Sequence, residues 1–338
     1  MARLRTKWIQ IYRQAHKAFD PALRRELPIS CLILFPLSVF ILGHLIFDWI
    51  GIPFSSRALQ AAQTIAPNPN TDQAISDGHA WGASAYFYLI VSAYTLAALT
   101  RWAHARISGK TLAFYRSVAA FVVFSGLLYL AAINSTDRPL KTIFLFTFNS
   151  LQLSSSTIEP QILRSISITL LIINLLGVIV PGVICAVAPL VVREPDGEWT
   201  EKELFNRTRD MRFLGLIASV FMVTGILHMY AWMSWAPQLL NKNDLEILVG
   251  SVAFYWGSVF TMMLAAIYFP ILFVLQSRAE SIMDAQQIPL IERDQWLERR
   301  GLSLRITNQI PQIIAILAPL LTAPSGNFLA SLARLAPK

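Results

Sequence analysis

The sequence predicts an all-α, polytopic membrane bundle of six spans. Three observations carry that reading. Of the 338 residues, 55% are hydrophobic and only 14% are charged, and mean hydropathy is +0.51. Soluble domains run near 25% charged. Six apolar runs are long enough to cross a bilayer, which takes about 20 helical residues. The basic residues fall almost entirely on alternate connections between those runs.

The runs, in order, are 29–50, about 81–99, 117–133, 166–192, 213–232 and 248–275. The third is near the lower limit of length. The fourth and sixth exceed it and are expected to tilt or protrude. Four prolines lie inside runs, Pro36, Pro181, Pro189 and Pro270, with Pro189 near the end of its run. Each of the other three is expected to kink its helix, because proline removes a backbone donor and crowds the preceding turn. Gly177 and Gly182 flank Pro181 and make it a candidate hinge, with a static kink as the bland alternative.

Twenty-three of the 28 Lys and Arg lie on one side of these spans. They cluster in the first 25 residues, at 101–116, at 193–212 and in the tail. Only Arg57, Arg138, Lys141, Arg164 and Lys242 lie opposite. Cytoplasmic loops collect basic residues, so both termini are expected in the cytoplasm. A bacterial inner (plasma) membrane is the expected location, because no cleavable presequence precedes the first run. Trp49, Trp81, Trp102, Trp232 and Trp235 fall near span ends, where an aromatic belt is expected.

The chain divides into a basic amphipathic segment (1–27), the six-span domain (28–276) and a tail (277–338). The first segment is expected to lie on the inner leaflet or on the protein's own base. The outer loop after the first run contains "SSRALQAAQTI", expected as a separate short helix capped by Ser55 or Ser56. In the tail, "SRAESIMDAQ" and "IERDQWLERRG" read as short soluble helices, the second capped by Gly301. The apolar stretch from Gln309 onward is broken by Pro311, Pro319 and Pro324. An interfacial or re-entrant segment is expected there rather than a seventh span.

Soluble catalytic motifs are absent: no HExxH, GxSxG or strand-bound GxGxxG occurs. No enzyme activity and no cofactor are therefore expected. The five histidines are scattered and form no metal spacing, and Cys31 and Cys185 read as buried thiols. Polar residues inside spans are costly and mark sites by default. His44 and Asp48 share a face of the first helix. They fit a proton or cation site, or more simply an interfacial pair wetted beside Trp49. Asn174 and His228 read first as interhelical hydrogen-bonding groups.

The outer connection between the third and fourth runs holds a further feature, "FLFTFNSLQLSSSTIEP". An apolar helix over 142–153 would span about 18 Å, too short to cross but long enough to dip in and return. Asn149, Gln152, Ser154, Ser155, Ser156, Thr157 and Glu159 are the candidate loop residues. Irregular backbone is tolerated at membrane depth only where it lines a cavity. A helix lying flat on the outer leaflet is the alternative.

The order of half helix, hydroxyl-rich stretch, carboxylate and glycine-bearing return helix resembles the pore region of tetrameric cation channels. The resemblance covers about 75 residues and implies a filter-like segment at Ser154–Thr157. "SSSTIEP" carries no TVGYG-like signature, so potassium selectivity is not implied. The expected function is a channel or permease-like conduit for a small ion or solute. The alternative is a non-transporting anchor, sensor or effector acting through cytoplasmic proteins. Expected partners are lipid, a second copy of the chain and a cytoplasmic protein, but no nucleic acid.

Overall fold

A computed structural model describes residues 29–63, 71–107, 109–134, 139–153, 159–195, 198–239, 244–300, 302–303 and 309–322. The basic segment 1–27, the hydroxyl residues Ser154, Ser155, Ser156 and Thr157, and Gly301 lie outside the described residues. The described residues are helical apart from short connections, and no strand occurs among them. A 3-10 turn, Cys31–Ile33, leads into α1 (Leu34–Gln63). Then follow α2 (Thr71–Arg106), α3 (Gly109–Asn134), α4 (Pro139–Leu153) and α5 (Pro160–Val187). A second 3-10 turn, Ala188–Val192, precedes α6 (Glu201–Leu239) and α7 (Asp244–Ala285). The last described helices are α8 (Leu290–Arg299) and α9 (Gln309–Thr322).

Six of these helices, α1, α2, α3, α5, α6 and α7, are long and apolar enough to cross a membrane. The protein is a multi-pass membrane bundle. At 42 residues, α7 extends about 63 Å, twice a 30 Å hydrocarbon core. The expected short helices at 55–63 and 277–285 are not separate elements. The first continues α1 and the second continues α7. Both stretches are rich in good helix formers, and the turn of helix before them supplies the nucleus that an isolated segment would have to form. Pro36 falls in the first turn of α1, where proline forfeits few helical bonds. Pro181 and Pro270 lie within continuous helices.

The spans pack neighbour to neighbour in the order α1, α7, α6, α2, α5, α3. Tyr129 on α3 returns to α1, its ring 5.3 Å from that of His44. Lipid tails are as apolar as leucine, so close packing rather than transfer from water holds such helices together. The α3–α5 pair shows how. A Cβ at Gly126 would sit 2.5 Å from Val178 Cγ1, and one at Gly182 would sit 2.9 Å from Val123 Cγ2. Glycine lets the two backbones approach.

The α2–α6 pair is antiparallel and in register along most of its length. At one end Trp81 stacks on Trp235, with ring centroids 5.7 Å apart, and Trp232 is fully buried beside them. In the middle Tyr88 meets Phe221. At the basic end Arg106 forms an ion pair with Asp210, its guanidinium donating to Oδ1 at 2.8 Å and lying 2.6 Å from Oδ2. Of the expected aromatic belt, Trp49 is exposed, but Trp81, Trp232 and Trp235 face inward. Position along a helix sets depth; only the facing partner decides direction.

Candidate functional site

Three places gather the polar side chains of the spans. The first is the half helix. α4 packs against α1 and α6, which the order of spans separates by α7. Its Thr147, Ser150 and Leu151 are buried, while Asn149 and Gln152 are exposed. The Ser150 hydroxyl donates to the Phe146 carbonyl at 2.8 Å. Thr147 Oγ1 is buried with no hydrogen-bond partner. α4 is therefore an integral part of the bundle rather than a helix free on its surface. Glu159 is exposed and stands immediately before α5. Its side chain makes no cap; its carbonyl accepts the Ile162 N–H at 3.0 Å. Pro160 takes the first helical position, where its missing N–H would have no partner within the helix.

The second place joins two residues singled out in different spans. His228 on α6 is 3% exposed. Its Nδ1 lies 3.5 Å from Ser84 Oγ on α2, at the outer limit of a hydrogen bond. Its Nε2 is buried without a partner. Ser84 itself donates to the Trp81 carbonyl at 2.8 Å. The Tyr88 ring sits 5.7 Å from His228. The Tyr88 hydroxyl in turn faces Gly177 on α5, where a Cβ would lie 3.5 Å away. An imidazole, a phenol and a glycine thus meet where α2, α5 and α6 converge. Chemically this centre has one imidazole nitrogen left to donate to or accept from a small polar guest. Gly182 is committed to packing on α3, Pro181 is half-buried inside α5, and Gly177 is exposed. Asn174, one turn before Gly177, is also exposed and lies apart from His228.

His44 is not the wetted interfacial group expected of it. It is 6% exposed and ringed by Phe40, Trp256 and Tyr129, whose ring centroids lie 4.6, 4.7 and 5.3 Å away. The pleat of aromatic edges between α1 and α7 takes it out of water. Asp48, one turn on, is half-buried.

The third place, at the basic end, was not found by reading the sequence. Asp210 and Arg207 fall in the polar stretch between the fourth and fifth apolar runs, yet both are buried, at 4% and 5% exposure. α6 starts at Glu201 and carries them into the bundle. Arg207 donates to Glu203 at 2.6 Å and to the Leu190 carbonyl at 2.7 Å, satisfying the 3-10 turn after α5. Arg278 on α7 pairs with Glu194 at 2.8 Å and lies over the Trp199 ring. Arg300, stacked on Trp296, pairs with Glu201. These contacts tie the 193–200 connection and α8 to the ends of α6 and α7. The alternation "RTRD" at 207–210 was the available signal, since helical spacing puts Arg207 and Asp210 on one face.

Among the described residues no group of His, Cys, Asp and Glu is arranged to hold a metal ion. The fold and these sites define a multi-pass α-helical membrane protein. No family model, no curated protein and no solved structure matches the chain.

Proposed function

We propose that the protein is a conduit for a small ion or solute, with α4 and the hydroxyl-rich sequence 154–157 that follows it as its selective element. The observation that supports this most is the packing of α4 on α1 and α6 with Thr147 and Ser150 buried. A short helix anchored in the bundle can hold the stretch that follows it near the membrane interior. There, non-helical backbone is stable only along a protein-lined or watered path.

The α3–α5 flank extends the reading to an assembly. Only 6% of the apolar window of α3 is buried within the chain. On the same flank α5 exposes Asn174 and Gly177. A side-chain amide facing hydrocarbon is costly, and one amide both donates and accepts, so a second copy can satisfy it. The path would then run beside α5, between copies, with Gly177 and Pro181 as its hinge and Gly182 holding α5 to α3.

Reconstitution into liposomes tests this. Flux of at least one member of a panel of monovalent cations, anions and small neutral solutes is expected. Substitutions at Ser155, Thr157 and Glu159 should change its rate or selectivity. Folded protein that passes none of the panel would overturn the proposal. A second reading, an effector acting through a cytoplasmic protein, is favoured by one observation. Leu290 and Ile291 at the start of α8 are 80% and 95% exposed, outside the spans. If that reading holds, I291D abolishes a specific crosslink from α8 while the protein remains without flux.

A further inference from the structure

A cavity of about 190 Å³ lies between α6, α7 and α9. α6 contributes Arg212, Gly215 and Ala218, α7 contributes Leu264 and Ile271, and α9 contributes Gln312 and Ala315. Its depth follows from neighbouring contacts. Arg212 stands two residues past Asp210, whose partner Arg106 ends α2 at the basic end. Gly215 and Ala218 lie one and two turns further in. The cavity therefore starts at headgroup level on the basic side and runs into the hydrocarbon zone.

α9 is held as a wall at fixed distance. The Tyr268 hydroxyl donates to Gln309 Oε1 and Gln309 Nε2 donates to the Ser303 carbonyl, both at 2.8 Å. Deeper, the Ser219 hydroxyl donates to the Ala315 carbonyl at 2.5 Å. The opposite face of α9 exposes Ile310, Ile314, Leu317 and Leu321, a stripe that suits contact with acyl chains. Such a helix lies among lipid tails, and the cavity beside it opens to them.

The lining chemistry selects the occupant. It is apolar but for Arg212, Tyr268 and Gln312. The Tyr268 hydroxyl is engaged by Gln309. Arg212 is exposed at the rim, and Gln312 Oε1 is buried with no partner. An acyl chain fits the walls, a phosphodiester fits a guanidinium, and a headgroup hydroxyl supplies the donor Gln312 lacks. We propose that the cleft binds one anionic glycerophospholipid of the basic-side leaflet, its chain in the cavity and its phosphate on Arg212.

The test is native mass spectrometry of the full chain in detergent, titrated with phosphatidylglycerol, phosphatidylcholine or inorganic phosphate. One phosphatidylglycerol per chain is expected, preferred over phosphatidylcholine by about fivefold, the weight of one basic group near an anionic headgroup. R212Q should reduce the preference to parity without ending binding. A315F should lower occupancy by both lipids. Gly215→Leu, which fills the cavity from α6, serves if A315F fails to fold. Inorganic phosphate should neither bind nor compete. The proposal is overturned if folded R212Q keeps the preference, if filling the cavity leaves occupancy unchanged, or if phosphate alone displaces the lipid.

Discussion

Replacing Gly257 by alanine should detach α9 from α7, and the structure sets the size of the effect. A Cβ at that position would come within 2.7 Å of the Pro319 carbonyl oxygen and 3.3 Å of the Leu320 Cα. Both are backbone atoms, so no side-chain rotation relieves the clash. Overpacking of this kind costs about 1–3 kcal/mol. Alanine's better helix propensity cancels, because α7 is helical whether or not α9 is docked. The clash, about 1–3 kcal/mol, therefore raises the detached population roughly 5- to 150-fold. Maleimide labelling of A315C, in a Cys31→Ser background, reads that population when reclosing is fast. G225A is the matched control, because its Cβ would meet nothing closer than Tyr88 at 3.6 Å. Unchanged labelling in G257A, or an equal rise in G225A, would refute the reasoning. The Gly126 contact differs in kind. There the obstacle is a valine methyl, so V178A should rescue G126A, whereas no side-chain trim on α9 should rescue G257A.

Two further outcomes follow from the α2–α6 pair. D210A should lower stability by about 2–3 kcal/mol, below the 3–5 kcal/mol of a fully buried pair, because Arg106 keeps 24% of its side chain exposed; the heat- or SDS-unfolding midpoint of the detergent-solubilised protein measures it, and an unchanged midpoint would show that the pair contributes nothing. H228L should leave the midpoint almost unchanged, within about 1 kcal/mol, since the ring has one nitrogen unpartnered and Ser84 is already bonded to Trp81. A large loss would mean that His228 has a partner beyond the contacts of this chain.

The six spans were legible because hydropathy over about 20 residues is a property of the chain itself. The ends of the helices were not. α2, α6 and α7 begin or end in polar sequence that is helical by continuation, so a hydropathy window stops too early. That error hid Asp210 and Arg207, which looked like loop residues and are buried in α6. Direction around a helix was equally hidden. Trp81 and Trp235 have the depth of belt residues and stack on each other instead, and His44 has the depth of a wetted group and sits among rings. A helix that is apolar on every side carries no moment to tell which face meets protein. The half helix was legible in length alone. Its packing on α1 and α6 depends on helices far away in sequence.

The two ends of the α2–α6 pair answer to different surroundings. One end is clasped by stacked indoles, which added salt hardly touches. The other is clasped by Arg106 and Asp210, a partly hydrated ion pair that added salt weakens. Pulled apart, the two helices would not separate evenly. They would open like shears, pivoting on the tryptophans and parting first at the charged tips, so ionic strength on the basic side alone would set how readily they part.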